Sequence, residues 1–230
     1  MSQIRLIQGD CLEILPKIED KVDLIITDPP YLMNYKTGYR KDKSHDFRTP
    51  ILNDTNFELI SDVIPLLYSL LKDGGAIYMF WNDNHIDYFK QQIETKFQLK
   101  NILIWIKNNW SAGDLKGAYA KQTEFIIYAV KGRHILNGAR DTDALFYDRV
   151  VGNMQMHQNQ KPVNLLEYLI DKSSKPNDLI LDCFMGSGST GVACANLNRD
   201  FIGIELEPKY YKIAEQRIKE ANEQRRLIWY

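Results

Sequence analysis

The stretch Leu179-Ile180-Leu181-Asp182-Cys183-Phe184-Met185-Gly186-Ser187-Gly188-Ser189-Thr190-Gly191 decides the fold. Its first three residues are a short apolar run that reads as a buried strand, and Gly186, Gly188 and Gly191 then satisfy the spacing G-x-G-x-x-G. Such glycines make a tight turn and let the following helix pack close to the strand. A second apolar run, Phe201 to Ile204, ends at Glu205, where a carboxylate can accept hydrogen bonds from ribose hydroxyls. Glycines alone are satisfied by any turn needing positive φ; strand, turn, helix and strand-end acid together point to an adenosine-containing cofactor. The stretch leaves the choice of cofactor open. Only 39 residues follow Gly191, too few for the second half of a dinucleotide-binding fold.

Working outward, short runs of Ile, Val and Leu alternate with longer amphipathic stretches, the pattern of an α/β protein with a mostly parallel sheet and helices on both faces. Seven strands are expected: Ile4 to Ile7, Val22 to Ile26, Ala76 to Trp81, Ile102 to Lys107, Phe125 to Val130, Leu179 to Leu181 and Phe201 to Ile204. Helices are expected over Leu59 to Leu71, ended by Lys72-Asp73-Gly74-Gly75, and over His85 to Thr95, Pro162 to Lys172 and Pro208 to Gln224. Residues 32–56 and most of 108–160 resist regular assignment, and loops of that length are usually functional or disordered.

At 230 residues the chain is the size of one domain. Twenty-nine Lys and Arg stand against 30 Asp and Glu, so no global basic field announces a nucleic-acid partner, and any such partner must be held by a local patch. The three cysteines, Cys11, Cys183 and Cys194, have neither CxxC spacing nor nearby histidines, which argues against a disulfide framework or a metal site. They read as reduced, cytosolic thiols. No apolar run reaches the roughly 18 residues of a membrane helix, and the N-terminus lacks a signal-peptide core, so a soluble cytoplasmic protein is expected.

A second constellation, Asp28-Pro29-Pro30-Tyr31, directly follows the apolar run Val22 to Ile26. Ligands of open α/β sheets collect at the carboxyl ends of strands. Two prolines fix two φ angles and remove two backbone donors, leaving a rigid corner of acceptors beside a carboxylate and an aromatic ring. That corner suits a planar group bearing an NH₂. The plain alternative is a strand-ending turn.

With these two constellations in view, the chain resembles the S-adenosylmethionine-dependent DNA amino-methyltransferases, in the permuted β class where the catalytic tetrapeptide precedes the cofactor loop. The resemblance runs from Gly9 to about Tyr211 and implies a single Rossmann-like methyltransferase domain. It implies catalytic roles for Asp28, Pro29, Pro30 and Tyr31, and a cofactor loop of Asp182, Phe184, Gly186, Gly188 and Thr190 with Glu205 on the ribose. Asp10, with Cys11 beside it, looks like the strand-end aspartate that accepts from the adenine amino group; without the resemblance, Asp10 reads equally well as a helix N-cap. Lys161 and Pro162 resemble the segment closing over the methionine end, although a solvated lysine before a helical proline is the default reading. The preceding His157-Gln158-Asn159 departs from the more common His-Pro-Thr.

The implied substrate is double-stranded DNA with the target base flipped out, and Asp as the first tetrapeptide residue favours adenine N6. N4-cytosine, RNA and a protein amide remain alternatives, as do a catalytically idle binding module and a dehydrogenase. Lys36, Arg40, Lys41, Lys43 and Arg48 against two acids give residues 36–48 a local charge of +3, with Tyr35, Tyr39 and Phe47 interleaved; this loop reads either as a phosphate grip or as a solvated surface loop. Target recognition is expected in a short insert at 108–157, where Lys116, Lys121, Arg133, Arg140 and Arg149 are candidate DNA contacts and Trp110 and Tyr119 candidate wedges. A homodimer would widen the basic footprint.

Overall fold

The computed structural model describes residues 2–30, 57–81, 85–110, 114–150 and 160–228. Eight strands form one sheet: β1 (Ile4–Gln8), β2 (Val22–Thr27), β3 (Leu71–Trp81), β4 (Gln98–Ile106), β5 (Thr123–Val130), β6 (Ala144–Phe146), β7 (Leu179–Asp182) and β8 (Asp200–Glu205), in the spatial order β1-β8-β7-β2-β3-β5-β4-β6. From β1 through β3 every neighbouring pair is parallel. β5 runs antiparallel between β3 and β4, and β6 adds a parallel edge to β4. The α/β class and the mostly parallel sheet are as expected, but the expected strand count of seven is corrected to eight. β6 is only three residues long, too short to show a period, and it is held by backbone pairing of Ile104 to Ala144 through Ile106 to Phe146.

The helices are α1 (Cys11–Ile14), α2 (Phe57–Leu70), α3 (Ile86–Glu94), α4 (Val163–Ser173), α5 (Ser189–Leu197) and α6 (Pro208–Ile228), with one 3₁₀ turn over Leu15–Lys17. The stop expected at Lys72 to Gly75 holds for α2, but the chain passes straight into β3. Val22 pairs with Leu71 while Leu24 pairs with Ala76, so the extra residues are absorbed as a bulge.

Alternation along the central strands builds two cores. Ile77, Met79, Trp81, Ile127 and Ala129 face the core shared with α2 and α3. Ala76, Tyr78, Phe80, Ile126, Tyr128 and Val130 face the core shared with α4, α5 and α6. Burying a side chain of this size stabilises by about 1.5–3 kcal/mol, and a one-residue slip would exchange the two sets. The register that fixes the site is therefore specified by the apolar pattern on both faces.

Candidate active site

The strand order reverses between β7 and β2. From β7 the chain passes through α5 to β8 on one side, whereas from β2 it passes by way of α2 to β3 on the other. Such a switch point leaves a crevice beyond the carboxyl ends of the two strands. Both constellations fall there, Asp28 after β2 and the glycine turn after β7. Pairing of Leu24 with Ile180 and Ile25 with Leu181 brings their ends level.

Asp182 ties the two together. Its carboxylate accepts from the Thr27 hydroxyl at 3.1 Å, from the Phe184 backbone N–H at 3.1 Å and from the Thr190 hydroxyl at 2.6 Å. Burial pushes its pKa up to about 7, against the lowering effect of these three donors, and the charge of Asp28 adds to the rise. Asp182 and Thr190, both matched to the family's cofactor loop, bond to one another, which ties the end of β7 to the start of α5.

The turn has an open side and a packed side. Gly188 has φ +80°, and a Cβ there would lie 2.9 Å from the Ala214 Cα, so its missing side chain lets α6 approach. Gly186 has φ +51°, and a Cβ there would meet nothing within 4 Å. Arg217 of α6 donates to the carbonyl and hydroxyl of Ser187 on the packed side. The half-buried Glu205 accepts from the backbone N–H groups of Gly186 and Glu207, both at 2.8 Å. Burial raises its pKa while those N–H groups lower it. The Leu206 backbone N–H is a third donor to the carboxylate, which leaves about one of its four acceptor sites for a hydroxyl donor.

β1 lies beside β8, with Gln8 paired to Glu205, which brings Asp10 to the same end of the sheet. Asp10 caps α1 by accepting from the Leu12 N–H at 2.9 Å, and its second oxygen has no hydrogen-bond partner among the described residues. The Cys11 thiol is buried in the core, which leaves only its backbone for a ligand. Phe184 is half-buried against the same core, at the mouth of the turn.

Across the crevice, Asp28 is not alone. The Lys161 ammonium lies 2.6 Å from Asp28 Oδ2 and 2.8 Å from Glu124 Oε1, and the other Glu124 oxygen lies 2.7 Å from the Lys107 ammonium. Lys161 and Glu124 are each 6 % exposed, so the solvated reading of Lys161 is corrected: its ammonium is buried between two carboxylates and stands 5.1 Å above the Phe80 ring. Burial by itself would raise the Glu124 pKa, but the neighbouring ammonium groups of Lys161 and Lys107 hold it well below the carboxylate range. Burial opposes the Lys161 charge, and Asp28 and Glu124 outweigh it. Pro162, itself buried, starts α4 immediately after this ammonium.

A family model described as DNA methylase matches residues 22–216 of the 230. The chain belongs to the DNA methylase family. It is 31 % identical over 220 residues to the putative methylase YubD of Escherichia coli (strain K12), covering 93 % of this chain and 89 % of that protein. It is 29 % identical to the DNA adenine methyltransferase YhdJ of the same organism, covering 94 % and 83 %. The solved structure of M1.HpyAVI in complex with SAM superposes with a TM-score of 0.75 at 32 % identity, covering 94 % of this chain and 98 % of that one.

The methylase's own residues fit such a cofactor: the open Gly186 face, the spare acceptors of Glu205 and Asp10, and a buried ammonium at Lys161 suit a nucleoside joined to an amino acid. Among the described residues no group of three His, Cys, Asp or Glu is arranged to hold a metal, and no helix is long and apolar enough to cross a membrane.

The candidate DNA contacts of the methylase divide by sheet geometry. Trp110, Lys116, Tyr119 and Lys121 are exposed in the connection from β4 to β5, which lies at the crevice end because Ile106 pairs with Thr123. Arg133 and Arg140 lie elsewhere. β5 runs antiparallel, with Trp81 opposite Phe125 and Ala76 opposite Val130, so the chain leaving β5 emerges at the other end of the sheet. Gly74 packs against the Arg133 carbonyl there, and Lys172, at the end of α4, donates to the Ala139 carbonyl beside Arg140. Tyr31, the basic residues Lys36, Arg40, Lys41, Lys43 and Arg48, and His157 to Asn159 lie outside the described residues.

Glu124 of the methylase is the site residue that sequence reasoning missed. Its signal was present: Glu124, Ile126, Tyr128 and Val130 alternate along one strand, so an acid occupies the inward face of an otherwise apolar row.

Proposed function

We propose that this DNA methylase transfers the methyl group of S-adenosylmethionine to the N6 amino group of an adenine flipped out of duplex DNA. The observation that carries the reading is the position of Asp28 at the carboxyl end of β2, tied through Thr27 and Asp182 to the glycine turn. The glycine turn, Glu205, Asp10 and Phe184 would hold the nucleoside, and Lys161 the carboxylate of its methionine part.

The exocyclic amine of adenine is a poor nucleophile because its lone pair is delocalised into the ring. Asp28 and the Pro29 carbonyl accept its two N–H bonds, which draws the nitrogen toward tetrahedral geometry and aims its lone pair. S-adenosylmethionine supplies an electrophilic methyl on a sulfonium leaving group. As that methyl passes to the aimed lone pair, Asp28 would stabilise the positive charge on the amine until one amine proton departs to water. Flipping costs a few kcal/mol, and a base stacked on Tyr31 regains roughly 1–3 kcal/mol.

Lys116, Lys121 and the basic stretch at 36–48 would hold phosphates, with Trp110 and Tyr119 near the displaced base. A second copy of the chain would extend this short footprint, and the three free thiols suit the cytoplasm. Nucleoside mass spectrometry of duplex DNA incubated with the protein and methyl-labelled cofactor tests the reading. Label in N6-methyladenine is the expected result; label in N4-methylcytosine, or none in DNA, would overturn it.

A further inference from the structure

Lys107, Glu124, Lys161 and Asp28 form a chain of alternating charge, buried at Glu124 and Lys161 and half-buried at its two ends, that leads from the end of β4 to the catalytic corner. Its floor is aromatic, with Lys107 4.8 Å above the Trp105 ring and Lys161 5.1 Å above Phe80. In such surroundings a charge must remain paired, because an uncompensated buried ion is far more costly than a matched one.

The contact between Lys161 and Asp28 competes with the proposed reaction, on which this inference rests. Asp28 Oδ2 is held 2.6 Å from the ammonium, and a carboxylate whose charge is shared with an ammonium is a weaker acceptor for the target amine than a free one. The reaction therefore gains when Lys161 loosens from Asp28, and the carboxylate of the methionine part is the anion that can replace it. An ammonium held by Asp28 alone would have to give up its single acid to make the exchange. Glu124 removes that difficulty, since it keeps one oxygen on Lys161 and its other on Lys107 throughout.

We infer that Glu124 is a positioning residue that anchors Lys161, so that the ammonium exchanges Asp28 for the cofactor's carboxylate without leaving the site and Asp28 becomes available to the target amine. Glu124 does not touch the reacting atoms; it acts through Lys161. The exchange makes cofactor binding and exposure of the catalytic carboxylate one event.

Calorimetric binding of two nucleosides tests this without DNA. S-adenosylhomocysteine carries the carboxylate, and 5′-methylthioadenosine lacks the whole amino-acid end. Glu124→Gln is expected to weaken S-adenosylhomocysteine about tenfold or more while leaving 5′-methylthioadenosine within about twofold. Glu124→Asp is expected to recover part of the loss. Asp28→Asn alone, which keeps Glu124 as the anchor and removes the competing acid, is expected to bind S-adenosylhomocysteine at least as tightly as wild type. Where Glu124→Gln fails to fold, the same comparison in Glu124→Asp decides, with a smaller loss confined to S-adenosylhomocysteine. Equal weakening of both nucleosides, or no weakening of either, overturns the role of Glu124 alone. A wild-type protein that binds neither overturns the cofactor reading and this role with it.

Discussion

The Thr27 hydroxyl donates to the Asp182 carboxylate at 3.1 Å, joining two strands whose residues lie 155 positions apart. One bond thus couples the strand that carries Asp28 to the strand that carries the glycine turn. Thr27 is 1 % exposed, so Thr27→Val preserves shape and removes only the donor. Urea unfolding is expected to show a loss of roughly 1–3 kcal/mol, with a parallel fall in cofactor affinity measured by calorimetry.

Asp182 makes stability depend on pH. Its folded pKa of about 7 stands above the ordinary aspartate value of 3.8, so the folded state holds a proton more tightly than the unfolded chain. The sign follows: no penalty below about pH 4, a growing loss of stability as pH rises toward 7, and the full loss above it. Asp182→Asn cannot ionise, so wild type is expected to lose stability relative to it by a few kcal/mol between pH 4 and pH 8. Paired urea titrations at both pH values check this.

The two glycines of the turn are expected to fail in different ways. Gly188→Ala meets the α6 backbone at 2.9 Å as well as a strained φ, and is expected to cost roughly 2–4 kcal/mol of stability. Gly186→Ala meets open space, so it is expected to cost about 1–2 kcal/mol of backbone strain while weakening cofactor binding strongly. Melting curves with and without S-adenosylmethionine separate the two.

DNA affinity is expected to respond to residues at the crevice end of the sheet. Lys116→Ala is expected to reduce the salt dependence of duplex binding by about one unit of slope. Arg133→Ala, at the opposite end, is expected to leave it unchanged. Fluorescence anisotropy over a range of salt concentrations measures both.

Much of this arrangement was legible in the sequence, because the apolar runs at Val22, Ala76, Phe125 and Phe201 are long enough to reveal buried strands, and the run at Leu179, though short, is followed at once by the glycine turn. The signals at Asp28 to Tyr31 and Gly186 to Gly191 are local, and local chemistry can be read from neighbours. What escaped depends on contacts distant in sequence. The burial of Lys161 follows from acids on two other elements. The direction of β5, which removes Arg133 and Arg140 from the crevice, is set by pairing with β3 and β4. β6 owes its existence to β4. Asp10 was readable as a cap or as an acceptor, and its two oxygens allow both.

Asp28→Ala tests the central claim most directly, with cofactor affinity and labelled methyl transfer to duplex DNA measured on one preparation. Affinity is expected to remain within a few-fold of wild type, or to tighten as Lys161 is released, while transfer to adenine falls by at least about 100-fold. Turnover retained by purified Asp28→Ala would contradict the account.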